Sequence, residues 1–120
     1  MPTETKQVYS AKVEEVYSGD DIVMMVDLGA EDLHLRKRIR LHGVDTPSAI
    51  NEAHNTPAGV IRTYVRNLIR GRTVQLTVTA RGSKSWVGIV ELVVAGQPTA
   101  NINNDLIAQG FKFNKEKAAP

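Results

Sequence analysis

In Arg40-Leu41-His42-Gly43-Val44-Asp45-Thr46-Pro47 an apolar-alternating strand carries a guanidinium and then delivers a carboxylate to a break set by proline. A cation and a carboxylate meet where the backbone must leave a sheet, which is a place that can receive a phosphate or a metal ion. A solvated charge pair at a strand end, followed by an Asp turn, accounts for the same residues. The elements that present this stretch decide between the two.

The chain of 120 residues fits one domain, large enough to bury a core without covalent staples. It has no cysteine, so disulfides and thiolate metal sites are excluded and any metal must be held by oxygen or His. The N-terminus has no apolar run of signal-peptide length, and no stretch approaches a membrane span, so the chain reads as soluble with no membrane role. The net charge of +2 is unevenly spread. From His34 to Lys84 ten basic side chains face only Asp45 and Glu52, whereas the acids collect in residues 1–32. Such a middle segment can form a patch that attracts a polyanion, or it can be a scattered solvated surface.

Alternation predicts strands over Tyr9 to Val16, Ile22 to Leu28 and Leu33 to Val44, with Tyr17 to Asp21 and Gly29 to Asp32 as the turns. In the third strand Leu33, Leu35, Ile39 and Leu41 share one face, and His34, Arg36, Arg38, Arg40 and His42 the other, so one sheet face carries a row of cations. Residues 48–57 have no useful period and end in Thr56-Pro57, an N-cap followed by proline at the first helical position. A helix follows to about Arg70, with Val60, Ile61, Tyr64, Val65, Leu68 and Ile69 as its buried stripe, while Arg62, Arg66 and Arg70 read as a solvated face.

Thr73 to Thr79 and Trp86 to Val94 complete the strands, the latter ended by Ala95-Gly96-Gln97-Pro98. A second helix runs from about Asn101 to Gln109, turning Ile102, Leu106 and Ile107 inward. Residues 8–113 form the folded domain, between flexible ends at 1–7 and 114–120. Three strands, a helix, two strands and a helix describe a mainly β, α+β chain. A five-stranded OB-type barrel, with a helix between strands three and four and a C-terminal helix, fits this order, as does a small α+β sandwich.

Ser18-Gly19-Asp20-Asp21-Ile22-Val23, then Ile39 to Pro47, then Ile102-Asn103-Asn104-Asp105-Leu106-Ile107-Ala108-Gln109-Gly110-Phe111 resemble the staphylococcal nuclease (thermonuclease) family in order and spacing, over roughly residues 8–113. The resemblance implies an OB barrel. It also implies cleavage of DNA and RNA with calcium, by two aspartates, a general-base glutamate and two phosphate-holding arginines. Asp20 and Asp45 match the calcium aspartates, Thr46 the threonine whose carbonyl completes the metal site, and Arg40 the first arginine. This pairing suits the chemistry, since calcium takes hard oxygen ligands and a guanidinium grips two phosphate oxygens. Lys84 stands where the family has a lysine near the terminal phosphate.

The departures fall on the chemistry. Ser48 occupies the position of the glutamate, and its hydroxyl cannot take a proton from water without a base of its own. Val87 occupies the position of the second arginine and Ser85 that of a phosphate-contacting tyrosine. Glu52, His42, His54 and Arg81 are the side chains from which a replacement could come. The expectation is a nuclease-fold module with little or no hydrolytic activity. It would bind single-stranded nucleic acid or its ends through Arg36, Arg38, Arg40, Lys84 and Trp86, with at most weak calcium at Asp20, Asp45 and Thr46. A calcium-dependent phosphodiesterase with altered residues and a protein-interaction OB domain are the alternatives. Trp86 itself reads equally as a stacking platform or as a core residue.

Overall fold

A computed structural model describes residues 7–29, 33–46 and 56–111. The expectations for 1–6, the tip of the second turn at 30–32, the segment 47–55 with Ser48, Glu52 and His54, and the tail from 112 lie outside the described residues. Six strands and two helices follow in the order β1 (Gln7–Ser18), β2 (Asp21–Asp27), β3 (His34–Leu41), α1 (Pro57–Ile69), β4 (Thr73–Arg81), β5 (Trp86–Val94), β6 (Gln97–Asn101) and α2 (Ile102–Ala108). β1 pairs with β2 and β4, β2 with β3, and β4 with β5, all antiparallel. A short parallel pairing, Ile39 to Leu41 of β3 against Trp86 to Gly88 of β5, closes the five strands into a barrel. This is the mainly β, OB-like arrangement expected, with α1 between β3 and β4, and the sandwich is set aside. No helix among the described residues is long and apolar enough to cross a membrane.

The core is the inward face of each alternating strand: Val13 and Val16 from β1, Ile22, Met24 and Val26 from β2, Ile39 and Leu41 from β3, Val74 and Leu76 from β4, and Val90 and Leu92 from β5. Gly88 lets β4 and β5 close on one another. A Cβ there would stand 2.7 Å from Leu76 Cδ1 and 2.8 Å from the Thr77 carbonyl oxygen, closer than packed atoms come.

Apart from element ends, where β1 takes in Gln7, Tyr17 and Ser18, β2 takes in Asp21 and β3 stops at Leu41, the structure differs from the pattern in two places. Ala95 and Gly96 do not end the sheet: both have positive φ (53° and 80°), the geometry of a tight two-residue hairpin, and β6 returns along β5. The α1 stripe is also rotated. Ala58, Ile61, Val65 and Ile69 are buried, while Val60 and Tyr64 are exposed, Tyr64 donating its hydroxyl to Asp105 of α2 at 2.6 Å. Nor do the helix arginines form a solvated face. Arg62 is buried, and Arg66 donates to the Val16 carbonyl at 3.0 Å.

The reason lies in β1, whose register slips between Val13 and Glu15 and again between Val16 and Ser18. Glu15 meets Arg66 Nε at 3.0 Å and Arg70 Nη2 at 3.7 Å, and accepts from its neighbour's N–H, Val16, at 2.9 Å. Burial pushes the Glu15 carboxyl up, but the Val16 N–H and the two guanidinium groups together outweigh it and hold the carboxyl below its ordinary value. A depressed folded-state pKa contributes stability above the unfolded-state value, and that contribution is lost as pH falls through the folded one. Glu15→Gln is therefore expected to cost on the order of 1 kcal/mol at pH 7 in urea unfolding. The difference from wild type should shrink as the pH is taken below the ordinary carboxylate range.

Candidate functional site

The end of β3, the β1–β2 turn and the start of β5 meet on one side of the barrel. Asp20, in the turn, is only 3% exposed. Its Oδ1 accepts from the Thr46 hydroxyl at 3.0 Å and its Oδ2 from Arg40 Nη2 at 3.2 Å, while its backbone carbonyl accepts from the Leu41 N–H at 3.0 Å. Burial pushes the Asp20 carboxyl above its ordinary value, opposed in part by the Thr46 hydroxyl and Arg40. Gly19 makes this packing possible, since a Cβ there would lie 2.9 Å from Thr46 Cγ2 and 3.1 Å from Ile61 Cγ1.

Asp45 follows the Gly43 turn (φ +74°) and is exposed, its N–H donating to the Phe111 carbonyl at 2.8 Å. The segment 42–46 is thus tied to the end of α2. Asn103, buried in α2, ties it again by donating Nδ2 to the carbonyls of His42 and Gly88. In the parallel β3–β5 pairing, Arg40 stands opposite Val87. The side chain beside the guanidinium is therefore aliphatic.

The outer face of β3 carries the expected row, but each arginine has a carboxylate. Arg36 Nε meets Glu14 at 2.6 Å, Arg38 Nε meets Asp21 at 2.8 Å and Arg40 meets Asp20. The acids come from β1, β2 and the turn between them, so only the fold reveals them. The guanidinium side chains stay 59%, 44% and 54% exposed, so each keeps N–H groups turned to water. Lys37, which alternation places on the inner face of β3, lies over the Trp86 ring. Lys84 is exposed in the β4–β5 turn.

Of the side chains from which a replacement base or clamp could come, Glu52 and His54 lie outside the described residues. His42 meets the Thr79 hydroxyl at 3.3 Å, and Arg81 lies against Tyr9 and Trp86. As a metal site the pocket fits poorly. Both Asp20 oxygens are engaged by donors, and no cluster of three or more His, Cys, Asp or Glu among the described residues could hold an ion. Neither a protein-family model nor a curated protein matches this chain.

Proposed function

We propose that this barrel is a nuclease-fold module of the staphylococcal nuclease type that binds single-stranded nucleic acid or its ends and has little or no hydrolytic activity. The observation that carries the loss of chemistry is Val87, in register with Arg40 across the β3–β5 pairing. A valine gives nothing to the charge that builds on a phosphoryl group, and loss of one such contact commonly costs a factor of about a hundred or more in rate. Ser48, at the family's general-base position, leaves the attacking water unactivated. Calcium would be held weakly in this reading, because Arg40 and the Thr46 hydroxyl already engage the Asp20 oxygens and would compete with an ion for them.

Affinity for a phosphate backbone is supported by the exposed guanidinium groups of Arg36, Arg38 and Arg40 and by Lys84 in the adjoining turn. The test is incubation of the protein with labelled single-stranded oligonucleotide and with plasmid DNA in calcium. The expected result is binding that weakens with salt and is reduced by Lys84→Ala and Arg36→Ala, with the plasmid left intact. Cleavage that disappears in Asp45→Ala and Arg40→Ala would replace this reading with a calcium-dependent phosphodiesterase. Neither binding nor cleavage at low salt would leave a protein-interaction domain.

A further inference from the structure

The chain's one tryptophan stands in a cluster outside the Asp20 pocket. Trp86 opens β5 and is paired across the ladder with Arg81, which ends β4. Its ring stacks on Tyr9 of β1 with centroids 6.1 Å apart and planes at 30°. The Arg81 guanidinium lies 4.5 Å from the Trp86 ring centre and 6.0 Å from that of Tyr9, and donates to the Tyr9 hydroxyl at 2.7 Å. From β3, the Lys37 ammonium lies 5.4 Å from the Trp86 centroid.

Lys37 and Arg81 lie over aromatic rings rather than against carboxylates. Arg36, Arg38, Arg40, Arg66 and Arg70 each meet a carboxylate, but no carboxylate among the described residues pairs with Lys37, Arg81 or Lys84. Two aromatic faces bordered by uncompensated cations are the parts from which proteins build grips for unpaired bases, the rings taking bases and the cations the phosphates. Trp86 is 9% exposed and belongs to the buried core cluster, and Lys37 and Arg81 lie over its ring. A base that reached this ring would exchange a cation–π contact for stacking and free a cation to meet its own phosphate.

We propose that the Tyr9–Trp86 pair is a gated stacking platform for one unpaired base of a single strand, with Arg81 and Lys37 moving off the Trp86 ring to hold the flanking phosphates. The inference rests on the nucleic-acid reading above and gives the strand its anchoring contact. Trp86 reports on the event itself, because all tryptophan emission comes from this ring. Labelled oligothymidylate is titrated against the full chain while anisotropy and tryptophan emission are followed together, beside an abasic oligomer of equal length.

Oligothymidylate is expected to change Trp86 emission and the abasic strand to leave it unaltered. Arg81→Ala and Lys37→Ala, checked for folding by circular dichroism, should each weaken binding about tenfold, and Arg81→Lys should recover part of it. Binding seen by anisotropy with constant emission and unaffected variants would overturn the platform while leaving the nucleic-acid module in place. Equal emission changes with the abasic strand would overturn it too, by reporting charge rather than stacking. Absence of any binding would overturn both.

Discussion

Asn103→Leu is expected to destabilise the protein by about 3 kcal/mol or more, read as a fall in the urea midpoint with little change in slope. The side chain is 3% exposed and makes three hydrogen bonds: its Oδ1 accepts from the Val90 N–H at 2.9 Å, and its Nδ2 donates to the His42 and Gly88 carbonyls at 2.9 and 3.0 Å. The strand ladder explains why Val90 needs it. Along β5 the pairing with β3 ends at Gly88, and the pairing with β6 begins at Glu91. Val90 falls between the two, and the asparagine side chain stands in for the missing strand. The Gly88 carbonyl keeps a second donor, the His42 N–H at 2.8 Å, so the largest single cost is the orphaned Val90 N–H. Amide hydrogen exchange at Val90 should rise more than at Leu76 in the core of β4. An unchanged midpoint would mean that water or a shifted β6 satisfies the gap.

Asn103 also marks what the sequence could and could not disclose. Its place in a helix with Ile102 and Leu106 is legible from period, as are the N-cap at Thr56 and the alternation of β2 through β5, because each depends on near neighbours in the chain, whereas the β1–β4 and β3–β5 pairings that close the barrel do not. The partners of Asn103 lie 13, 15 and 61 residues away, beyond any local pattern. The same limit governs the charges. Arg36 and Arg38 alternate visibly, but Glu14 and Asp21, which neutralise them, are brought up by pairing at separations of 22 and 17 residues.

β6 escapes the sequence pattern for a different reason. Glycine and proline punctuate a sequence as stops, yet the positive φ at both Ala95 and Gly96 makes this one a reversal. For α1 the apolar arc was wider than the face the barrel could cover. Val60 and Tyr64 therefore turn outward, and the slip in β1 recruits Arg66 as a partner of Glu15. At the candidate site Asp20, Arg40 and Thr46 do converge, while Asp45 is exposed and is tied through its N–H to the Phe111 carbonyl. Trp86, open to two readings in sequence, belongs to the core by burial and to a cationic cluster by its contacts.

Val87→Arg should tighten binding to single-stranded oligonucleotide by about tenfold and steepen the salt dependence by about one charge. The parallel register sets residue 87 directly opposite Arg40, so a long side chain introduced there leaves the barrel alongside an existing guanidinium. Val87 is only half-buried, which leaves room for an arginine stem to lie along the surface with its head in water. Two guanidinium groups side by side repel each other when nothing lies between them, so the unfolding midpoint of the free protein should drop slightly. A bound phosphate removes that repulsion, and the gain appears only in the complex. Arg40→Ala in the Val87→Arg background should then cost more affinity than in the wild type, because the two cations share one anion. Plasmid DNA should nevertheless stay intact, since Ser48 supplies no base to the attacking water. If Val87→Arg leaves both the affinity and the salt slope unchanged, the strand does not pass over Arg40, and the nucleic-acid surface must be sought elsewhere on the barrel.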